Sequence, residues 1–419
     1  MNKIPYINIA DTQVWMIYLM PFSKETRTDY NIVNKLQQQC IEKKIFGMGW
    51  SVSGIKVGTE MTQDWVKKYI EKCDNQQKDL SKQAVEGYQK IKKGDYVIMR
   101  LKDNHYYVGK VQSDRPIYLY KENDALCEHF SWGAKVERWV EYIGEDMVPS
   151  EIVGRFSQRI HQTIQKIAPY RQRLLVIAMY ENKISKEKRV YNVPKLHVTI
   201  DNFVRSLTYS ELEDLVADYI DSKHNCEGYR LRPSTCKNSQ QKYEFRFVAK
   251  GKKPITCQVK NQHVIEIENY VDDTEYERIY IFCGKWDQET VEKLREQYKN
   301  NPQLYIISPN ELFDILKNIY VFESRAWMDF YDLNDSVIMP GKLFLEGYNM
   351  VEDVKAVKMM NDYTMSDDFV CFFKREEFYY SVEFGAFILD SHTNQKDLTR
   401  EEERKQIEKI VESVNSHMA

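Results

Sequence analysis

Apolar and polar positions alternate with two different periods along this chain, and the periods sort it into elements. Val14 to Leu19 is a short apolar run that predicts a first strand. Tyr30 to Lys43 carries helical spacing, and Ile45 to Trp50, with Gly47 and Gly49, breaks it. Trp65 to Lys72 and Ala84 to Ile91 read as two more helices. Tyr96 to Arg100 and Tyr106 to Val111 flank a turn at Lys102, Asp103 and Asn104, which is a hairpin signal. Leu174 to Ala178 is apolar at every position and reads as a strand-like or buried run.

The second half changes rhythm. Thr208 can cap a helix, and Glu211 three residues on completes a capping box. Leu212, Leu215, Val216, Tyr219 and Ile220 follow at helical spacing, with Glu213 at the edge of the apolar stripe. Gly228 and Pro233 mark turns. Strands are predicted at Tyr243–Val248 and Ile255–Lys260, joined by Lys250, Gly251, Lys252, Lys253 and Pro254. Arg278–Phe282, Gln288–Tyr298, Leu304–Ile307 and Pro309–Ile319 then alternate strand and helix, which implies further parallel strands in one sheet. Near the end, Phe369–Phe373 reads as a buried strand and Leu398–Val414 as a charged amphipathic helix with Ile407, Ile410 and Val411 on one face.

Composition narrows the class. The chain has 419 residues, enough for two or three domains, and its 42% hydrophobic content supports ordinary cores. A formal net charge of -3 gives no global basic field. The 8 cysteines contain no C-x-x-C pair, so the expectation is reduced thiols rather than zinc ligands or disulfides. No apolar run is long enough for a membrane span and no leader pattern opens the chain, so a cytoplasmic protein without a membrane partner is expected. Charge is uneven, however. Between Arg155 and Arg205, eleven Lys or Arg face only Glu181, Glu187 and Asp201. The expected division is residues 1–150, a basic connector at 151–205, a third part at 206–325 and a small C-terminal α+β region at 326–419.

The hairpin carries the candidate chemistry. Side chains alternate along a strand, so Gln258 and Lys260 share a face, and the right register brings Glu244 beside them. Glu213 on the preceding helix would complete the set. Carboxylate and amide oxygens beside a lysine can hold Mg²⁺ or Mn²⁺ and orient a water towards a phosphodiester. Mg²⁺ keeps several of its own waters, so few protein ligands suffice. The lysine can help polarise the water or stabilise the phosphate charge.

At these residues the chain resembles the PD-(D/E)XK nuclease superfamily, and most of all its Mrr-like restriction branch. The matching residues are Leu212-Glu213-Asp214-Leu215-Val216-Ala217, then Gly228-Tyr229, then Glu244, then Gln258-Val259-Lys260. The resemblance covers roughly Thr208 to Asn318. It implies a mixed sheet flanked by helices and the catalytic set Glu213, Glu244, Gln258 and Lys260, the first three as metal ligands. Two departures stand out. Tyr243-Glu244 replaces the usual Pro-Asp, and Gln258 opens the last motif where an acid is usual, a variant that branch carries.

The N-terminal part is similar to the PUA superfamily, near its EVE and YTH members. The carrying residues are the Trp15 strand, Gly47-Met48-Gly49-Trp50 after a helix, Lys93-Gly94-Asp95-Tyr96-Val97, and Gly109-Lys110-Val111. The resemblance implies a β-barrel that takes one extruded, modified base between aromatic planes. Trp50 and Trp15 are the candidate pocket walls, with Trp132 and Tyr106 behind them; the polar stretch Ser53 to Lys82 is extra to a minimal domain of this kind. In the connector, Arg155, Arg159, Lys166, Arg171 and Arg173 are candidates for contact with a DNA backbone.

Taken together, the sequence predicts a modification-dependent endonuclease, similar to type IV restriction enzymes, directed at double-stranded phage DNA with modified bases. One site per chain and two strands to cut favour a homodimer. Two other readings stay open: a non-catalytic reader with a decayed nuclease fold, and a nuclease effector gated by a ligand or partner.

Overall fold

A computed structural model describes residues 6–9, 11–18, 30–78, 80–101, 104–120, 130–157, 163–200, 202–232, 242–261, 263–319 and 325–333, with three strands beyond them. The fold is mixed α/β, and the chain divides into two compact units. One comprises Met1–Leu196 with Val337–Ala419, the other His197–Ser336. The Pro233 turn, the first two residues of the Lys102–Asn104 turn, Arg159 and the Leu398–Val414 helix lie outside the described residues. No helix among the described residues is long and apolar enough to cross a membrane.

The first unit is built on a seven-stranded sheet that curls into a half-barrel. Its order is β3 (Ile45–Met48), β7 (Trp132–Ile143), β5 (His105–Val111), β4 (Tyr96–Arg100), β2 (Val14–Ile17) and β8 (Ile164–Lys166), with β6 (Ile117–Tyr118) also on β7. The long β7 makes the curl. Its first residues pair with β3 and β6, and its remainder pairs with β5. The β5–β7 register shifts between Gly109 and Val111, and such a bulge sharpens the local twist. Gly109 allows this close approach, because a Cβ there would lie 2.9 Å from both Trp139 and Val136. Helices α1 (Tyr30–Glu42), α2 (Gln63–Asn75) and α3 (Lys82–Gln89) fall where the periodicity puts them. Thr62 and Ser81 cap α2 and α3 with their side chains. The run Ile45–Met48 after α1 is a strand, so the helix gives way to sheet there.

Leu174 to Ala178 is not a strand. It lies in α5 (Tyr170–Glu181), after the short α4 (Ser150–Phe156). Leu174, Leu175, Val176, Ile177 and Met179 are all fully buried. A helix buried all round has no polar stripe, so its sequence carries no helical period and is easily mistaken for a buried strand. Tyr142 fixes α5 to the sheet by donating to Met179 O at 2.7 Å. Glu181, fully buried, accepts from the Tyr96 hydroxyl and, at 2.9 Å, from Val190 N.

A separate four-stranded sheet belongs to the same unit. There β1 (Tyr6–Asn8) pairs in parallel with β18 (Phe387–Ser391), which is followed by β17 (Phe378–Ser381) and β16 (Val370–Phe373).

In the second unit, after β9 (Leu196–His197), α6 (Tyr209–His224) packs on a five-stranded mixed sheet. The sheet order is β10 (Arg230–Leu231), β11 (Phe245–Val248), β12 (Ile255–Lys260), β13 (Arg278–Cys283) and β14 (Leu304–Ile306). β11 and β12 are antiparallel, while β12, β13 and β14 run parallel. α7 (Gln288–Gln297) supplies the crossover from β13 to β14, the connection from β12 to β13 includes the 3-10 turn Ile267–Asn269, and α8 (Pro309–Ile319) follows β14. β12 and β13 are buried at all but one residue each, as strands covered on both faces are. After α9 (Arg325–Phe330), β15 (Tyr331–Asp332) receives Val198 N on Asp332 O.

Leu175→Ala should destabilise the first unit by about 2–5 kcal/mol, because it opens a cavity on a helix with no exposed face. Urea denaturation followed by tryptophan fluorescence measures this, and a change under about 1 kcal/mol would contradict a buried α5.

Candidate functional site

The site forms where the start of α6 meets the β11–β12 hairpin. The capping box predicted for α6 is present: Glu211 N donates to Thr208 Oγ1 at 3.1 Å, and Thr208 N donates to Glu211 Oε2 at 2.6 Å. This fixes the first turn, and with it Tyr209 and Glu213. Phe245 pairs with Cys257, so Glu244, one residue earlier, stands opposite Gln258. Glu244 N also donates to Cys257 O at 3.0 Å, which holds the strand end in place.

Four of the expected residues therefore converge. Gln258 Nε2 and Lys260 Nζ each donate to Glu244 Oε1 at 2.9 Å. Gln258 is only 4% exposed although it is polar. Lys260 keeps more access to solvent than Glu244 does. Glu213 comes close enough to feel both charges. Burial and then the negative charge of Glu244 push its carboxyl up to about 7, against the pull of Tyr209 and Lys260.

One member was not foreseen. The Tyr209 hydroxyl donates to Glu244 Oε1 at 3.1 Å and reaches Val259 O at 3.3 Å. Burial and the two glutamates together hold its phenol well above the ordinary range. The sequence signal was available: Tyr209 lies four residues before Glu213, so the two share one helix face.

A second half-buried carboxylate in this unit shows what a structural acid looks like here. Burial alone would raise Glu311, but hydrogen bonds from Tyr305, Ser308 and Tyr219 outweigh it and hold the acid at about 2. Arg295 adds an ion pair at 2.5 Å. Glu311 is fully supplied with donors and ties α6, α7, β14 and α8 together. Glu213 is pushed the other way. Glu213, on helix α6, has no such set of donors, and it feels the charges of Glu244, Asp214 and Lys260.

The expected base pocket is not assembled from the residues proposed for it. Trp132 is 0% exposed and packs edge-to-face on Tyr69 and Tyr118. Tyr106 is equally buried, against Phe156. Trp15 spends its indole N–H on buried Asp95, at 2.9 Å from Oδ2. All three are buried core residues: Trp15 and Trp132 belong to one large core cluster of the sheet, and Tyr106, which alternates with Tyr107 of that cluster, packs on the opposite face against Phe156 of α4. Trp50 differs. It is half-buried, and Lys78 Nζ lies 5.0 Å from its ring centroid. Its loop is fixed from below, since Tyr69 donates to Trp50 O at 3.0 Å and Tyr118 bonds both Val52 N and Val52 O. Gly49 starts the loop at φ 97, where a Cβ would meet the Tyr69 hydroxyl at 2.5 Å.

The basic stretch also divides. Arg171, 5% exposed, pairs with Glu151 at 2.7 Å. Arg173, 3% exposed, donates to Ile9 O and Thr12 O at 2.7 and 2.6 Å. Both are committed to the interior, so neither meets a DNA backbone in this fold. They lie on α5, where a helix sunk in the core draws its flanking charges inward. Arg155 is half-buried on α4, and Lys166 is exposed on β8.

No three His, Cys, Asp or Glu side chains gather as a metal cage among the described residues. Cys40, Cys73, Cys226, Cys257 and Cys283 form no disulfide, and of these five only Cys226 is exposed. No family model, curated protein or solved structure matches this chain.

Because Glu213 holds its proton up to about 7 when folded against an ordinary 4.5, the folded state binds the extra proton between those values. Stability from this group is therefore lost as pH rises through that window. Glu213→Gln should raise the melting temperature at pH 8 and leave it nearly unchanged at pH 5. Thermal melts at the two pH values check this; an equal shift at both would mean that charge is not the cause.

Proposed function

We propose that the second unit is a divalent-cation-dependent nuclease of the PD-(D/E)XK type, with Glu213, Glu244, Gln258 and Lys260 as its working residues. The observation that carries this reading is the meeting of those four side chains at one corner of a mixed sheet. Glu244 turns towards Gln258 and Lys260 rather than outward to solvent. That orientation favours catalysis over a non-catalytic nucleic-acid-binding protein.

The donor set fits a small hard cation. Glu213 and Glu244 would hold Mg²⁺ or Mn²⁺, with the Gln258 amide oxygen beside them. Like charge and burial keep Glu213 protonated up to about 7, and a cation is the partner that would relieve both carboxylates. Bound there, it would supply Lewis acidity towards a phosphoryl oxygen and a water of lowered pKa. The chain's own groups do the rest. Lys260 places a positive charge where negative charge grows on the phosphate. Gln258, buried in β12, fixes the angle of the Glu244 carboxylate. In the hydrolysis, a water oxygen forms the new bond to phosphorus and one ester oxygen leaves with a proton.

The substrate class proposed is double-stranded DNA, and the reader proposed for it is the half-barrel of the first unit, whose sequence motifs resemble those of PUA domains. Trp50, on its pinned loop, is the aromatic that supports this part. A modified base in phage DNA is the proposed target, and cleavage of both strands by a homodimer the proposed arrangement.

The test is cleavage of matched phage DNAs, one unmodified and one carrying modified cytosine, with Mg²⁺. Wild type runs beside Lys260→Ala and Trp50→Ala. Lys260→Ala should cut at least roughly 100-fold more slowly, the usual cost of removing one aligned charge from a transition state. Trp50→Ala should lose only the preference for modified DNA. Cutting of both DNAs by wild type would remove the reader and keep the nuclease. Binding without any cutting would favour a non-catalytic protein, and cutting only after a small molecule or partner is added would favour a gated effector.

A further inference from the structure

We infer that Tyr209 is a positioning residue of this site: its hydroxyl competes with a divalent cation for Glu244, and so sets how tightly the cation is taken up. The inference rests on the reading of Glu213 and Glu244 as cation ligands.

A phenol has one hydrogen to donate. Within reach of the Tyr209 hydroxyl are Glu244 Oε1 at 3.1 Å, Val259 O at 3.3 Å, and the Glu213 carboxyl. Lys260 Nζ approaches the same hydroxyl oxygen at 3.4 Å. The hydroxyl thus lies among all the groups that a cation and its water would have to engage. Its hydrogen goes to whichever carboxylate most needs it.

Glu244 Oε1 is heavily loaded. Gln258, Lys260 and Tyr209 all donate to that single oxygen, at 2.9, 2.9 and 3.1 Å. Two lone pairs cannot serve three donors equally. A cation that takes Oε1 of this carboxylate meets the three donated hydrogens and must displace at least one. Gln258 is locked in a buried strand. Lys260 carries the charge that the phosphate needs. Tyr209 is the longest of the three contacts and 43% exposed, at the first position of α6. It is the donor with somewhere to go, by rotating its side chain into solvent.

Two consequences separate this from a packing role. The ring, 5.9 Å from Lys260 Nζ, stays in a phenylalanine variant, and only the competing hydrogen bond goes. Removing that competitor should tighten the cation, where removing a ligand or a packing contact should weaken it.

The experiment titrates Mn²⁺ alone into the full chain after chelation, by isothermal titration calorimetry. Wild type, Tyr209→Phe, Tyr209→Leu and Glu213→Gln are compared, with a melting curve for each as a fold control. Tyr209→Phe should bind Mn²⁺ about tenfold more tightly, the scale of one hydrogen bond to a charged group. Tyr209→Leu, which loses the ring as well, should tighten no more than Tyr209→Phe. Mn²⁺ taken up only by the phenylalanine variant would support the inference in its strongest form. Equal or weaker binding by a folded Tyr209→Phe, with wild-type binding lost in Glu213→Gln, would overturn the role of Tyr209 and keep the site. No uptake by either folded wild type or Tyr209→Phe would overturn both.

Discussion

Two glutamates held within reach of each other are the constraint around which the second unit is arranged. Like charges that are partly removed from water repel more strongly than they would at the surface. The protein nonetheless fixes one at the start of a capped helix and the other at the end of a paired strand. Lys260 and Gln258 offset part of the repulsion, and the proton retained by Glu213 offsets more. Glu311 shows that this unit can settle a half-buried acid completely when it surrounds it with donors. The contrast within one unit separates an acid settled by its donors from an acid that burial and a like charge leave protonated.

Much of this corner was readable before any coordinates. The capping box placed Glu213 because a side chain accepting the third backbone N–H fixes where a helix starts. The period of two placed Gln258 and Lys260 on one face. Glu244 followed from the hairpin register, although its strand begins only at Phe245. Tyr209 was passed over because it resembles an ordinary first-turn residue. Its significance depends on what the hairpin brings opposite, a non-local fact that no window of sequence contains.

The first unit was legible in its elements and far less so in its surfaces. Hydrophobic spacing marks a residue as apolar-facing and cannot say whether that face lines a pocket or a core. Trp15, Tyr106 and Trp132 satisfied the pattern and turned out to be buried in the core, Trp15 and Trp132 on one face of the sheet and Tyr106 on the other. Arg171 and Arg173 read as solvent-facing because arginine usually is. Burial of α5 overrides that prior, and backbone carbonyls and Glu151 receive them instead. The uniform apolar run of α5 hid its own helix for the same reason: period is a signal only where one side of an element meets water.

Register explains why a corner of this kind is not easily an accident of charged residues on a strand. β12 is held by antiparallel β11 on one side and parallel β13 on the other. A slip of one residue would exchange every side chain between faces, bringing Val259 to Glu244 and carrying Lys260 away. Ile255, Cys257 and Val259 share one face of β12 and Thr256, Gln258 and Lys260 the other, so that slip would exchange the apolar set for the polar one in the core. Gln258 is then the informative residue. A buried amide costs free energy unless it is hydrogen-bonded, and an aliphatic side chain would serve the sheet better. Its bond to Glu244 gives it a partner, but only because Glu244 is itself turned inward at a strand end where solvent would otherwise receive it. Each of the two polar groups removes the penalty of the other, and neither is needed by the core. What the pair contributes is a fixed carboxylate beside a lysine and a second acid.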